Sequence, residues 1–432
     1  MADRSLLIAH IRITPILIED APLLNLQGVH QPWATRAIIE VETAGGIVGV
    51  GETYGDAEHL EALSLFGAEL AGMSVASPNL LWKVAQRVLR PGAVASSLTD
   101  GKPSSWVTGV ASLRKLHAIC VSAFEVAYLD ALGRSLGLPV HELLGGKVRD
   151  RVDYAAYLFH KWEKHPVPGA PVDDWGAALD PAGVVAQARR FVDRYGFRSI
   201  KLKGGVFEPA QEVSAIRALK EAFPELPVRL DPNGIWSPET SIEVARELSG
   251  VVEYLEDPTT GQKNMSAVRK ATGIDLATNM CVTTTEEIRS AVEVDAVQVI
   301  LCDHHFWGGL RATHQLAGVC EALGLGLSMH SNTHLGISLA AMTHAAAAAP
   351  GTLHACDTHR PWQPEDVIES PLEFVDGAVV VSDDPGLGVE LDRESLMVLH
   401  KRWQDSDVRR RDDVGAMRVA DPSWVKPEFP RW

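Results

Sequence analysis

Cysteine is scarce in this chain of 432 residues: it has five, at positions 120, 281, 302, 320 and 356, with no CxxC spacing. Neither a disulfide framework nor a zinc cluster is therefore expected. The first residues carry no apolar core of a signal peptide, and by inspection no apolar stretch reaches the length of a membrane span. From these absences we expect a cytoplasmic protein without a membrane partner.

Positive charge is also in short supply, because 40 lysines and arginines stand against 56 aspartates and glutamates, for a net charge of −16. Such a chain has no general affinity for nucleic acid or for an anionic membrane. It can bind an acidic substrate only where a local Mg²⁺, lysine or arginine offsets the charge. The composition, 46% hydrophobic and 22% charged, is that of a folded protein, and the length allows a barrel plus a second domain.

What the chain does contain is a polar residue at the end of each of six hydrophobic runs. These residues, spaced 28, 25, 23, 24 and 27 apart, are Lys203, Asp231, Glu256, Asn279, Asp303 and His330. Each interval holds a short β-rich run, a turn and an amphipathic helical stretch. This rhythm is typical of βα units that close into a parallel barrel, whose reactive groups lie at the C-terminal ends of the strands.

The regions on either side of the barrel pattern have a different character. Residues 1–148 contain alternating runs that predict antiparallel strands, followed by helical stretches, so we interpret them as an α+β cap. We place the barrel at residues 149–370, with its first strand at 152–159 and its eighth at 352–359. Residues 371–432 return to a strand-like alternation and then lose periodicity, and we expect them to rejoin the cap.

Lys201 and Lys203 are two residues apart on one predicted strand, so both side chains should face the barrel mouth. Two ammonium groups held close together disfavour each other's charge, which would lower the pKa of a lysine toward the range of a general base. Lysines are more often solvated surface groups. Their place at the start of the rim series is what favours a catalytic role.

Asp231, Glu256 and Asn279 follow on the next three strand ends. Oxygen donors without sulfur and without a nearby pair of imidazoles suit a hard cation such as Mg²⁺. Any one of these residues is more often a helix cap or a partner of loop amides. Three such oxygen-donor residues on successive strand ends, directly after the two lysines, predict a metal site.

Asp303 and His330 occupy the last two strand ends of the series. A carboxylate that accepts the imidazole N–H fixes the tautomer of a histidine and raises its basicity. His304, His305 and His334 are weaker candidates. His330 and His334 have an HxxxH spacing, but no glutamate lies between them and a strand-end loop is the wrong context, so zinc is disfavoured.

A cation between two bases on opposite sides suits the removal of a proton next to a carboxylate. The hard step in such a reaction is the doubly charged enediolate. Mg²⁺ on the carboxylate oxygens would stabilise that charge as it develops.

With these residues in place, the sequence resembles the enolase superfamily and, within it, the glucarate dehydratase subgroup. The resemblance covers almost the whole chain and is carried by LNLQGVHQPWATR, YLFH, KLKGGV, RLDPNG, YLEDP, ATNM, LCDHHFW, MHSNTHLGISLA, DTH and PGLGVELD. It implies an α/β fold, a modified TIM (β/α) barrel with an α+β capping domain formed by the N-terminal region and the C-terminal tail. It also implies one essential Mg²⁺ and the elimination of water from an aldaric acid to give a 2-keto-3-deoxy acid.

Carried over by position, the resemblance implies that Mg²⁺ would be held by Asp231, Glu256 and Asn279. Lys203 would be the base on one face of the substrate, while Lys201 would support it and contact the substrate carboxylate. His330, oriented by Asp303, would serve the opposite face and protonate the departing hydroxyl. The implied substrate contacts are His30, Tyr157, Asn233, Asn332, His359 and Arg411.

Three departures from the subgroup fall outside the acid–base residues. The cap segment GETYGDAEHLEAL differs from the subgroup loop, and the Pro/Gly-rich stretch 90–106 predicts a long exposed insertion. Gln262 stands where some members carry a further carboxylate, so either Glu256 or a residue of the following loop would complete the metal site. The type of reaction is therefore better defined than the substrate.

The leading hypothesis is an Mg²⁺-dependent carbon–oxygen lyase that dehydrates D-glucarate or its C5 epimer L-idarate. Another acid sugar, such as galactarate or an aldonate, remains open, as does a racemase or epimerase with the same bases. A catalytically silent paralogue that binds acid sugars is the alternative from another class, although intact Lys203, His330 and Asp303 argue against it. The expected partners are a small acid sugar and further copies of the chain in a homo-oligomer.

Overall fold

The computed structural model of this chain describes residues 3–101 and 111–432. In the described residues, an N-terminal α+β unit and a C-terminal tail lie against a curled parallel sheet surrounded by helices. The predicted exposed loop, 90–106, lies partly outside the described residues. From 90 to 101 it is mostly exposed, although Leu98 is buried.

The N-terminal unit begins with short and long strands that turn back on each other. They are β1 (Ile8–Glu19), β2 (Leu24–Asn25), β3 (Gly28–Val29), β4 (Trp33–Thr43) and β5 (Val48–Tyr54). Strands β1, β4 and β5 form an antiparallel sheet, while β2 and β3 form a small hairpin, so the predicted antiparallel strands are confirmed. The helices that follow are α1 (Ala57–Gly67), α2 (Asn79–Val88), α3 (Leu113–Leu136) and α4 (Val140–Leu143).

Helix α3 corrects the expectation that no apolar stretch of this sequence reaches the length of a membrane span. The most apolar 18-residue stretch of this 24-residue helix has a mean hydropathy of 1.3, so by length and composition the helix is long and apolar enough to cross a membrane. In the structure, 94% of this apolar stretch is buried, because α3 packs along β5 in the centre of the cap. Two glycines allow the close approach: a Cβ on Gly49 or Gly51 would come within 2.1 and 2.3 Å of the α3 backbone.

The barrel follows a short strand, β6 (Arg151–Asp153). Its seven parallel strands, hydrogen-bonded in chain order, are β7 (Ala156–Phe159), β8 (Ile200–Lys203), β9 (Val228–Asp231), β10 (Tyr254–Glu256), β11 (Leu276–Thr278), β12 (Val299–Cys302) and β13 (Gly326–Met329). The helices between and after them are α5 (Pro181–Tyr195), α6 (Pro209–Ala222), α7 (Pro238–Glu247), α8 (Gln262–Thr272), α9 (Thr285–Glu293), α10 (His304–Trp307), α11 (Leu310–Leu323) and α12 (Gly336–Ala348). The strands are buried on both faces, which explains their continuous apolar runs.

Two predicted barrel strands differ in the structure. Of the predicted first strand, 152–159, only β7 joins the barrel, whereas β6 pairs antiparallel with β14 (Ala378–Val380). The predicted eighth strand, 352–359, is not a regular strand. It makes two isolated parallel bridges instead. Leu353 pairs with β13 at one edge of the sheet, and Cys356 pairs with Tyr154, just before β7, at the other edge. These contacts still close the barrel.

The starts of the barrel helices follow signals in the sequence. Ser237 accepts a hydrogen bond from the N–H of Thr240, and Pro238 is the first residue of α7. Thr284 and Glu287 form a capping box at the start of α9. These caps fix where α7 and α9 begin.

The C-terminal segment reaches the cap through helices. Helix α13 (Arg393–Asp405) packs on β1, and helix α14 (Asp413–Ala420) packs on β3. Beyond α14 the chain reaches the barrel, where the backbone carbonyl of Trp432 accepts the N–H of Ser237. The expected return to strands is limited to β14, which pairs beside the barrel instead of in the cap sheet. The boundaries at 148 and 370 stay predictions.

Two buried glutamates of the cap hold barrel helices at their N-termini. Glu52 on β5 accepts N–H groups of Leu335 and Ser338 at the start of α12, each at 2.9 Å. Glu125 on α3 accepts the N–H of Leu310 at the start of α11, at 2.6 Å. The first N–H groups of a helix have no partner within it, and the helix dipole favours a negative charge there. The cap is therefore joined to the barrel where α11 and α12 begin.

Glu125 should make the stability of the protein depend on pH. Burial raises the pKa of Glu125 from 4.5 to about 7, against the opposing effect of the Leu310 N–H. A carboxyl whose pKa is higher in the folded state stabilises the fold below its unfolded pKa, and this contribution is lost as the pH rises through about 7. We therefore expect the free energy of unfolding, measured with urea, to fall between pH 5 and pH 8 by up to about 3 kcal/mol more in the native protein than in Glu125→Gln. Parallel pH profiles for the two proteins would contradict this assignment.

Candidate active site

The structure places all six residues of the strand-end series on one rim. Lys203, Asp231 and Glu256 are the last residues of β8, β9 and β10, and the residues directly after β11, β12 and β13 are Asn279, Asp303 and His330. Parallel strands end at the same edge of a sheet, so these side chains share one end of the barrel. All six are buried, and Lys203, the most exposed, is only 8% exposed.

Two lysines and three carboxylates occupy the centre of the rim. Lys203 Nζ donates to Asp231 Oδ2 at 2.7 Å. Lys201 Nζ donates to Glu256 Oε2 and to Asp357 Oδ2, each at 2.6 Å, and lies 3.2 Å from Asp231 Oδ2. As predicted from their spacing, both lysines point to the inside of the barrel.

The carboxylates dominate the electrostatics of this centre. Burial disfavours the charge of Lys201, but Asp357 and Glu256 outweigh it and raise the pKa of Lys201 well above its usual value. The expectation that paired lysines lower each other's pKa is therefore wrong for Lys201, because it left out the carboxylates beside them. Burial also disfavours the charge of Asp231, yet Lys203 and Lys201 hold the pKa of Asp231 below its usual range.

The predicted Mg²⁺ ligands converge beside the lysines. Asn279 Nδ2 donates to Glu256 Oε1 at 3.2 Å, and Asn279 Oδ1 is buried without a hydrogen-bond partner in the described part of the chain. Burial and the charge of Asp231 raise the pKa of Glu256 well above its usual value. A hard cation would satisfy the orphaned oxygen and relieve the repulsion between the carboxylates, so these residues fit Mg²⁺.

The loop after Glu256 does not supply a competing carboxylate. Gln262 donates its side-chain amide to the backbone carbonyls of Cys281 and Glu287, each at 3.0 Å. Asp257 accepts the hydroxyl of Thr278 on one oxygen and the N–H of Asn279 on the other. Both residues are thus used to hold the loop, and Glu256 is the carboxylate of this strand that faces the lysines.

Asp303 binds two histidines at once. Its Oδ2 accepts the Nδ1–H of His330 at 3.0 Å, and its Oδ1 lies 2.8 Å from His305 Nδ1. A carboxylate only accepts hydrogen bonds, so His330 carries its proton on Nδ1 and keeps Nε2 for chemistry. Burial alone would raise the pKa of Asp303, but His305 and His330 hold it well below its usual value.

A second group of potential ligands, Asp303, His304 and His305, has donor atoms within 4.8 Å of one another. Both oxygens of this aspartate already accept hydrogen bonds from imidazole groups. Mg²⁺ prefers oxygen ligands over imidazole. The Asp231, Glu256 and Asn279 group is therefore the better Mg²⁺ site.

The cap residues implied as substrate contacts meet at Asp20. Asp20 Oδ2 lies 3.1 Å from His30 Nδ1 and 3.9 Å from Arg411 Nη1. The Nε of Arg411 also lies 3.0 Å from each carboxylate oxygen of Asp413. The ring of His30 lies edge-on to Phe159 of β7, with 5.9 Å between centroids. A loop of the cap and the C-terminal tail thus place a histidine and an arginine together beside the barrel.

The barrel contacts implied by the resemblance lie on the same rim. The rings of Tyr157 and His359 pack with 4.7 Å between centroids, and His359 also contacts Phe159 at 5.3 Å. Asn233 Oδ1 accepts a hydrogen bond from Lys203 Nζ at 3.0 Å. Its backbone has a φ of 58°, a left-handed conformation that asparagine tolerates better than most residues.

Asn332 joins the barrel rim to the cap. Its Nδ2 donates to the hydroxyl of Tyr54 at 3.1 Å. Asn332, Tyr54 and Arg411 are among the residues that line a small cavity of about 30 Å³ between cap and barrel. All the residues implied as substrate contacts therefore lie in one region, around the lysines and the Asp303–His330 pair.

Some residues of this region were missed from the sequence. Asp357 follows His330 by 27 residues, so the regular interval could have found it. Tyr54, Glu52 and Asp20 belong to the cap and reach the rim through tertiary packing, so no local pattern pointed to them.

Comparison with known proteins decides the family. The pattern described as "Mandelate racemase / muconate lactonizing enzyme, N-terminal domain" matches residues 22–145, and "Enolase C-terminal domain-like" matches residues 183–395. A protein of Streptomyces coelicolor named probable glucarate dehydratase is 60% identical, over 99% of this chain and 100% of the relative. The chain belongs to the enolase superfamily. The relative supports an acid-sugar dehydratase within it.

Solved structures of the enolase superfamily have the same fold. An enolase from Thermobispora bispora, complexed with magnesium and formate, is 53% identical with a TM-score of 0.93, and the match covers 99% of this chain and 100% of that one. A Pseudomonas fluorescens enolase with bound magnesium, potassium and tartrate is 45% identical with a TM-score of 0.93, and the match covers all of both chains. The fold predicted from the sequence is thereby confirmed.

Asn279→Ala should weaken Mg²⁺ binding without unfolding the barrel. The substitution removes the orphaned Oδ1 but leaves the carboxylates in place, so we expect at least roughly a tenfold rise in Kd by calorimetry, the scale on which even outer-shell changes act. Asp231→Ala should act in the same direction. Gln262→Ala is the matched control, because its amide bonds only the backbone of Cys281 and Glu287. Unchanged Mg²⁺ affinity in Asn279→Ala would refute the ligand assignment.

Proposed function

We propose that this chain is an Mg²⁺-dependent dehydratase that converts an acid sugar to a 2-keto-3-deoxy acid, with D-glucarate or L-idarate as its substrate. The observation that carries this proposal is the order of the strands. Lys203 ends β8 and His330 follows β13, while between them the predicted metal ligands Asp231 and Glu256 end β9 and β10 and Asn279 follows β11. The 60% identical relative named probable glucarate dehydratase supports the choice of substrate.

The first chemical step would be the removal of the proton α to a carboxylate. Bound Mg²⁺ would be held by Asp231, Glu256 and Asn279 and would stabilise negative charge on the carboxylate and its enediolate. Lys203 would accept the proton on one face of the substrate. Lys201, kept cationic by Glu256 and Asp357, would bind the substrate carboxylate.

The second step would be the loss of the hydroxyl group next to the reacting carbon. His330 would deliver a proton from Nε2 to this hydroxyl, so that the carbon–oxygen bond breaks and water leaves. Asp303 would stabilise the imidazolium through the Nδ1–H that it already accepts. The resulting enol then tautomerises: the carbon gains a proton and the enol hydroxyl loses one, which gives the 2-keto-3-deoxy acid.

Selection of the substrate would fall to the cap and the tail. His30, which is buried, and Arg411, which is half-buried, are cation-capable groups near one carboxylate, Asp20, and they lie beside the rim rather than on it. A second, distal carboxylate of an aldaric acid would find its partners there. An epimerase remains the second candidate, because bases on opposite faces could also exchange the α-proton without loss of water.

A set of acid sugars decides between these activities. Glucarate, idarate, galactarate and representative aldonates should be incubated with the full chain, with Mg²⁺ and with EDTA, and the products identified by NMR. We expect a 2-keto-3-deoxy acid from glucarate or idarate, lost with EDTA and restored by Mg²⁺. Epimers without dehydration would favour the second candidate, and full turnover in EDTA would refute metal dependence.

The two bases should be separable by isotope exchange. Lys203→Ala should slow α-proton exchange with D₂O in one epimer by at least roughly a hundredfold, the usual scale for a positioned general base. His330→Ala should do the same for the epimer that presents its proton to the opposite face. If neither variant alters deuterium incorporation into substrate or product, the assignment of the bases is wrong.

His30→Ala should change selectivity more than chemistry. It removes a donor near Asp20 but touches none of the rim lysines, so kcat/KM should fall mainly for dicarboxylate sugars. A charge-assisted hydrogen bond is worth about 1.5–3 kcal/mol, which corresponds to roughly a ten- to hundredfold effect. Monocarboxylate sugars are the control, and Arg411→Ala should behave alike. Equal losses on mono- and dicarboxylate sugars would show that the cap does not read the distal end.

A further inference from the structure

His305 is a buried side chain whose two ring nitrogens are both in use. Its Nδ1 lies 2.8 Å from Asp303 Oδ1. Its Nε2 lies 3.2 Å from the backbone carbonyl oxygen of Glu52 in the cap and 3.3 Å from Ser338 Oγ on α12. The residue is 4% exposed, and its ring also packs edge-on against Tyr54 with 5.7 Å between centroids. One imidazole thus touches the cap, a barrel helix and the Asp303 carboxylate.

His305 fixes the orientation of Asp303. Oδ1 of Asp303 accepts the backbone N–H of His305 at 2.9 Å and also meets its ring, so one residue holds this oxygen twice. The carboxylate is planar, so fixing Oδ1 also fixes the direction of Oδ2. That second oxygen accepts the Nδ1–H of His330 at 3.0 Å. The position of the His330 ring therefore depends on an oxygen that His305 sets.

Glu52 of the cap contacts both His305 and the start of α12. The carboxylate of Glu52 accepts N–H groups at the start of α12 and pairs with Arg36, while its backbone carbonyl faces His305. The side-chain hydrogen bonds of Lys203, in contrast, go to the barrel residues Asp231 and Asn233. The cap is thus connected to one of the two bases and not, through these bonds, to the other.

We propose that His305 is a positioning residue for His330, and that it transmits the placement of the cap to this base alone. The inference rests on the proposed function, because it assigns His330 to one face of the substrate. It further predicts that a substitution of His305 slows proton exchange on the His330 face of the substrate and not on the Lys203 face. A residue needed only for folding would impair both faces together.

Two substitutions separate the contacts of His305. His305→Phe keeps an aromatic ring in the pocket but removes all three polar contacts of the imidazole, to Asp303, Glu52 and Ser338. His305→Asn places an amide N–H near the position of Nδ1 and so can still donate to Asp303, although it cannot reach Glu52. His304→Phe is the matched control, because it makes the same change at the neighbouring histidine. The native His304 side chain is 2% exposed, and its Nδ1 has no hydrogen-bond partner among the described residues.

Face-selective deuterium exchange in the full chain with Mg²⁺ is the functional test. His305→Phe should slow the His330-side exchange by about a hundredfold, the scale expected for a misplaced catalytic group, and leave the Lys203-side exchange near the native rate. His305→Asn should recover only part of the loss, because it restores the bond to Asp303 but not the contact with the cap, and His304→Phe should exchange at both faces near the native rate. Equal losses on both faces, or native exchange on the His330 side in His305→Phe, would overturn the proposal.

A crystal structure of His305→Phe tests the positioning without any substrate. We expect Asp303 to rotate and its hydrogen bond to His330 Nδ1, 3.0 Å in the native chain, to be lost or redirected. Retention of this bond would overturn the positioning role. If the native protein exchanges at neither face, the proposed function fails, and the crystal structure then decides on the positioning by itself.

Discussion

The ammonium group of Lys201 is the interaction on which the rest of the site depends. It contacts Asp231, Glu256 and Asp357 within 3.2 Å, and so joins two neighbouring strand ends to the segment that closes the barrel. Buried carboxylates at this density cannot all stay charged without cations among them, since removing one partner of a buried pair costs about 3–5 kcal/mol. Lys201 supplies one cation, and the orphaned oxygen of Asn279 marks where a second would bind.

Under the proposed function, this constraint gives the barrel the chemistry and the cap the selection of the substrate. The rim is filled by charged groups that hold each other in place, which leaves little freedom for recognising different substrates. Under the proposed function, the groups that contact the rest of the substrate come instead from elements that pack onto the rim, such as His30 before β4 and Arg411 before α14. Glu52 on β5 and Glu125 on α3 join the cap to the barrel at helix N-termini, where α11 and α12 leave the rim.

The barrel and its rim could be predicted because they repeat. Each βα unit returns the chain to the same edge, so the residues from Lys203 to His330 were found from spacing alone. The closing segment broke the pattern, since 352–359 bridges to both edges of the sheet without forming a ladder. The pKa of Lys201 was misjudged for a related reason: Asp357, which does most to keep the amine charged, lies in that irregular segment.

Contacts between residues far apart in the sequence could not be predicted from local patterns. Nothing local indicates that the carbonyl of Glu52 meets His305, because 253 residues separate them and the contact exists only after the cap docks. Likewise the close packing of α3 on β5, which Gly49 and Gly51 allow, is seen only in the fold. Resemblance to a family supplied the substrate contacts that periodicity could not.

Under the proposed function, Asp231, Glu256 and Asn279 beside Lys201 hold the cation that the reaction needs. Anomalous diffraction from crystals soaked in Mn²⁺, which shares the preference of Mg²⁺ for oxygen ligands, locates that site without reference to activity. We predict a single strong peak between Asp231, Glu256 and Asn279. A peak at Asp303, His304 and His305 instead, or none at the rim, would refute this assignment of the cation site.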